Sequence, residues 1–255
     1  MTVIGTDDDT SPGEPRRRGL LLGIGALVAV VAVAVVVYLV TRDDGSRPTA
    51  VTSTTPTTTT PTTSTTTATG PTSLPVDTST AVWPFVSSAT RYADPASAAR
   101  GFATDYLGFT RPVVGEFRQG DARSGEVPLQ SKATGPVTTV LVRQLGDSWW
   151  VLGASTPNIQ LTSPAASATI SSPVRLQGTS TAFEATVNTE VRADGSTQPV
   201  GTGIVMGGAN GEMGPFDDTT TFDRPRASAG ALVLFTRSAE DGSITEATVV
   251  RVKFA

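Results

Sequence analysis

The sequence contains no cysteine and no histidine. Without cysteine an exported protein has no disulfide framework, so its cores must carry the fold unaided. Without histidine the usual general base near neutral pH is missing. With both absent, so are His and Cys ligands for zinc, copper or iron–sulfur centres. Charge is also sparse, at 16% of residues with a net charge of −4, which leaves no basic footprint for nucleic acid. Lysine occurs only at Lys132 and Lys253. A serine hydrolase lacking histidine would need a Ser–Lys pair, and neither lysine lies in such a motif. No catalytic residue, no cofactor and no bound metal is expected.

One long apolar run stands out against this background. Residues 19–40 (GLLLGIGALVAVVAVAVVVYLV) carry no charge over 22 positions. As a helix that length spans about 33 Å, enough to cross the hydrocarbon core of a bilayer. Arg16, Arg17 and Arg18 stand directly before it, and Arg42 and Arg47 follow among Asp43 and Asp44. This asymmetry predicts that residues 1–18 are a cytoplasmic tail and that everything past residue 40 lies outside. A cleaved signal peptide would have a shorter apolar core and a small-residue cleavage site. The stretch Tyr38-Leu39-Val40-Thr41-Arg42 offers no such site, so the expectation is an uncleaved single-pass anchor.

Residues 41–80 read as a stalk. Positions 49–80 are more than half Thr, broken by Pro56, Pro61, Pro71 and Pro75. Such a segment cannot bury enough apolar surface to offset its ordering entropy, so it is expected to be disordered and extended.

Folded composition resumes near Ala81, and residues 81–155 suggest a small α+β domain. Asp94 followed by Pro95 is a helix start, with Ala99, Phe102, Ala103 and Tyr106 forming one apolar stripe and Gly108 and Pro112 ending it. Strands are expected over residues 113–118, 136–145 and 149–154. Gly146-Asp147-Ser148 would turn the last two into a hairpin. Adjacent Trp149 and Trp150 should point to opposite faces of their strand, one into the core, with carbohydrate stacking as the functional alternative.

Residues 158–255 change character. Phe183, Ala185, Val187 and Val191 alternate with polar residues, and strand-like stretches follow at 201–206, 213–222, 231–236 and 245–254. Recurrent short strands with Gly/Asp turns indicate an all-β sandwich. Phe183, Val187, Phe216, Phe222, Val233 and Phe235 are its expected core. The order Ser172-Pro173-Val174, Gly178, Ala182-Phe183-Glu184-Ala185, Gly214-Pro215-Phe216, Leu232-Val233-Leu234-Phe235 and Asp241-Gly242-Ser243 resembles the Gmad2 family, the immunoglobulin-like domain of bacterial spore-germination and related surface proteins. The resemblance implies an extracytoplasmic immunoglobulin-like module without assigned catalytic residues. A Cys pair, a core Trp and any Tyr after Tyr106 are missing from this half, which leaves the strand order open.

The fold expected is therefore mixed: a transmembrane helix, a disordered stalk, a small α+β domain and an immunoglobulin-like sandwich. Its location would be a bacterial cell membrane, with the carboxy-terminal domains extracytoplasmic. Three functions fit: an interaction module contacting cell-envelope components or another surface protein, a cell-wall or small-ligand binder using the cleft between the two ectodomains, and a structural role in division or spore-envelope assembly. The partners are the membrane and a protein or cell-wall component, not nucleic acid. Ala231 to Phe235 is apolar on both faces of its strand, so one face needs a cover beyond the sandwich core. Gly201-Thr202-Gly203 with Gly207-Gly208 has the wrong spacing for a dinucleotide loop and reads as a turn or bulge. Asp217-Asp218 and Glu240-Asp241 lack calcium-loop spacing and read as turns.

Overall fold

The computed structural model describes residues 76–255. The anchor expected at 19–40 and the stalk up to residue 75 lie outside the described residues. Among the described residues no helix is long and apolar enough to cross a membrane.

One short helix, α1 (Pro95–Gly101), begins where the sequence places it. Asp94 is its cap: its carboxylate accepts from the Ser97 N–H at 2.8 Å and from the Ser97 hydroxyl at 2.7 Å. These bonds hold the Asp94 carboxyl below its ordinary value near 3.8. Because the folded state favours the ionised form, the cap contributes fully above that value and its contribution fades as pH falls through the depressed one. Asp94→Ala should cost about 1 kcal/mol at neutral pH. Urea titrations should show the gap between parent and variant shrinking below pH 3.8. A wider turn, Phe102–Tyr106, continues α1, with the Leu107 N–H reaching back to the Phe102 carbonyl. Gly108 then takes a positive φ of 79° and ends it. The expected stripe of Ala99, Phe102, Ala103 and Tyr106 is wholly buried.

The rest is β structure. Strands β1 (Val113–Val114), β2 (Arg118–Gln119), β3 (Ser124–Gln130), β4 (Thr138–Leu145) and β5 (Ser148–Ser155) form an antiparallel meander. Leu145 pairs with Ser148 around Gly146, the hairpin that the Gly-Asp-Ser signal predicts. Then come β6 (Ile159–Ser163), β7 (Thr169–Ile170), β8 (Val174–Ala182), β9 (Thr186–Ala193), β10 (Pro199–Met206), β11 (Gly208–Ala209), β12 (Gly214–Thr220), β13 (Ala229–Arg237) and β14 (Ile244–Phe254). The main sheet runs β1-β3-β4-β5-β14-β13-β9-β10, and β11-β8-β12 with β6 faces its second half. Ile159, Leu176, Val187, Val191, Val205, Phe216, Leu232 and Leu234 fill the space between as a sandwich core.

Strands from both sides of the expected boundary at 155–158 share this sheet, and the described residues all fall in one compact unit. The joint is narrow. β5 meets β14 at the single pair Ala154↔Val249, where Gly153 is required because a Cβ there would lie 2.6 Å from the Val249 carbonyl. On the other side of this contact the strands diverge, and residues 81–92 fill the fork. The Val82 and Trp83 N–H groups donate to the Val151 carbonyl, the Val151 N–H to Trp83, and the Trp149 N–H to Tyr92. Thr78 and Ser79, stalk by composition, are already part of the fold, since Ala81 donates to the Thr78 carbonyl and Arg251 to that of Ser79.

Two expectations need correction. Phe183 is not core: it is 65% exposed on the turn Phe183–Ala185, where Glu184 and Ala185 both have positive φ. That turn carries the chain from one sheet to the other, so the alternation becomes a strand only from Thr186 on. Val233 and Phe235 are buried, but not in the sandwich. They face a second core with Ala231, Phe102, Tyr106 and Trp83, while Leu232 and Leu234 face the sandwich. The helix and the segment in the fork thus cover the second apolar face of β13.

Candidate interaction surface

Two ends of the unit can be told apart from strand direction. Val76 lies against Gly146 in the β4–β5 hairpin. The β9–β10 turn at Asp194 and Gly195 shares this end, with Gly195 beside Ser87. We call it the proximal end. The distal end holds the β3–β4 and β13–β14 connections and the Phe183–Ala185 turn, because β5, β14, β13 and β9 are successively antiparallel.

Buried charge ties the proximal half together. Arg192 pairs with Glu190 at 2.6 Å, donates to the Tyr106 carbonyl, and stands 4.8 Å from the Tyr106 ring centroid. Burial pushes the Tyr106 phenol well above its ordinary range. Arg251, in register with Arg192 across Ala231, pairs with Asp194 and donates to the Ser79 carbonyl at 3.0 Å. Each arginine therefore joins the sheet to the amino-terminal segment laid over it. At the distal end, buried Glu246 accepts from Thr156, from Asn158 at 3.1 and 3.2 Å, and from Thr236 at 3.3 Å. This network anchors the β5–β6 connection to β13 and β14, a structural role.

The distal end presents two features to solvent. The first is apolar. Phe183, Ile204, Met206 and Met213 are all large and exposed, and the backbone gathers them at one corner. Met206 pairs with Thr186, the Gly207 N–H donates to Ala185, Ala209 pairs with Ala182, and Gly214 pairs with Ser180. The second is a cleft of about 420 Å³ lined by Thr110, Arg111, Val113, Ser131, Lys132, Asp241, Ser243 and Thr245, among others. It forms where the turn after α1, the β3–β4 connection and the β13–β14 connection converge. Asp241 is held below the usual carboxylate range by the Ser243 hydroxyl at 2.7 Å and the Ser243 N–H at 3.1 Å. The ion pairs among the described residues are Arg175–Asp217, Arg192–Glu190 and Arg251–Asp194. Arg111 and Lys132 take part in none of them.

The residues singled out in the sequence fall elsewhere. Trp150 is buried beneath the Arg91 guanidinium, 4.9 Å from the ring centroid, and Trp149 packs edge-on against Phe117 at 5.4 Å. Neither ring lines this cleft. Asp217 and Asp218 lie within β12, not in a turn. Asp217 pairs with Arg175, which lowers its pKa, and Asp218 accepts from the Met206 N–H at 3.2 Å. Gly201 and Gly203 lie in β10, close against Phe222 and Thr220, beside a register shift at Pro199. Among the described residues no three acidic side chains gather to hold a metal ion. Lys253 is exposed near the end of β14, while Lys132 joins the cleft. Arg111 and Lys132 had no signal in the sequence, because three turns distant along the chain make their site.

No curated protein and no solved structure matches the chain. Residues 158–243, from the approach to β6 through the turn before β14, match the family model Gmad2, the immunoglobulin-like domain of bacterial spore germination.

Proposed function

We propose that this protein is a membrane-anchored, extracytoplasmic interaction module without catalytic activity, contacting a cell-envelope component or another surface protein through its distal end. The uncharged run at 19–40, preceded by three arginines, supports the anchor and its orientation. The match of residues 158–243 to an immunoglobulin-like domain supports a binding or structural module. The observation that carries the reading is Phe183, 65% exposed beside Met206 and Met213. Clustered exposed apolar side chains of this size mark interaction sites in soluble domains. Its place at the end opposite Val76 would point it away from the bilayer.

A photo-crosslinking residue at position 183 in living cells should give a discrete adduct that the same group at Ser87 does not give. Equal or absent labelling at both positions would overturn the docking reading. Protease added to intact cells should trim the carboxy-terminal half, and a mature chain beginning after residue 40 would remove the anchor. Phe183→Asp should abolish the adducts made from a neighbouring position such as Thr181 while shifting the midpoint of thermal unfolding little, because the ring is already in water.

A second reading, a binder of small ligands or cell-wall fragments, is favoured by the cleft of about 420 Å³ with two cations outside any ion pair. That volume is within the usual range for small-molecule sites.

A further inference from the structure

The electrostatics of the distal cleft narrow its ligand. Arg111 and Lys132 line it from two different turns, and Asp241 is the acidic residue in the same wall. Asp241 would neutralise one of them if it could swing across. Its carboxylate is held by the hydroxyl and N–H of Ser243, where it feels the charge of Lys132 without forming an ion pair, so the three groups line the cavity with a net charge of one between them. Around them stand the hydroxyls of Thr110, Ser131 and Thr245. Thr245 is itself fixed from behind, sharing a hydrogen bond with Thr236 at 2.6 Å.

From this arrangement we infer that the cleft binds a small carboxylate ligand whose neighbouring groups can hydrogen-bond. A guanidinium recognises a carboxylate through paired N–H donors, and an ammonium adds a movable point charge. A monoanion neutralises the net single positive charge, whereas a doubly charged phosphate would leave the cleft negative beside Asp241. The wall hydroxyls suit amide or hydroxyl groups next to the acid. Two sources present this chemistry, the carboxy-terminus of a short peptide and an acidic amino sugar. The inference rests on the second reading above and specifies its ligand class.

Calorimetry on the detergent-solubilised full chain tests it with two matched pairs of probes. One pair is N-acetyl-D-alanyl-D-alanine and its carboxamide; the other is N-acetylmuramic acid and N-acetylglucosamine. The acid of one pair should bind at least about tenfold more tightly than its uncharged partner, and which pair does so identifies the source. Arg111→Gln with Lys132→Gln should remove that preference, and Asp241→Asn should strengthen binding by lifting a repulsive charge. Added salt should weaken it. Equal binding of acid and neutral probe, no binding of either acid at millimolar concentration, or an unchanged preference in the double variant would overturn the inference. Retained crosslinking from position 183 in that case would leave the protein-docking reading standing.

Discussion

Arg192→Ala lowers the unfolding free energy by about 3–5 kcal/mol, as expected when one partner of a buried ion pair is removed. The Arg192 and Glu190 side chains are 7% and 14% exposed, so neither is free to recover its lost partner from bulk water. Removing the guanidinium strands the Glu190 carboxylate, takes a donor from the Tyr106 carbonyl, and strips the cation from the Tyr106 ring. Most of the cost is the stranded charge. The double replacement Glu190→Leu with Arg192→Met should therefore recover much of the loss, since an apolar pair of similar volume is often as stable as a buried ion pair. Urea denaturation of the parent, the two single variants and the double variant measures the coupling. A double variant as unstable as the sum of the singles would show that backbone contacts, not the pairing of charges, account for the effect.

Phe102→Ala should cost about 3–5 kcal/mol as well, the range for deleting a fully buried aromatic side chain. Phe102 is 0% exposed, stacks on Tyr106 with ring centroids 5.1 Å apart, and shares a core with Val233 and Phe235. Because β13 has one face in this core and the other in the sandwich, the loss should be felt on both sides. Trp83, Trp149 and Trp150 report on the amino-terminal half by fluorescence, and amide exchange at Val187 and Val191 reports on the sandwich. The expected result is one transition, displaced equally for both probes. Sandwich amides that keep parental protection while the fluorescence midpoint falls would mean two independently folding domains.

Much of the local structure could be read from the chain alone. The Asp94 cap, the buried stripe from Ala99 to Tyr106, and the Gly146 hairpin all follow from short-range rules, in which the partners are neighbours in sequence. Val187, Phe216 and Phe222 were expected to be buried and are. Strand β3 went unread because Pro128 lies within Ser124–Gln130 and Gly125 takes one of its three inward positions, which leaves only Val127 and Leu129 as apolar signal. Phe183 was misread for a related reason. Alternation describes which side of a strand a residue faces, but gives no sign of where a turn with positive φ will end the strand. The cleft was opaque for a stronger reason, since Arg111, Lys132 and Asp241 meet only once three separate connections have been brought together.

Composition determined the broadest properties by itself: no disulfide framework, no histidine chemistry, and a terminal half built from short β-strands. The unbroken apolar run from Ala231 to Phe235 also marked a strand that needs cover on both faces. Only the tertiary structure decided what supplies that cover. Apolar burial is non-directional, and any element with a suitable face could have satisfied it. Directional groups made the selection here: the backbone of residues 81–92 fills the fork between β5 and β14, while Arg192 fastens Tyr106 and Arg251 fastens Ser79 to the sheet.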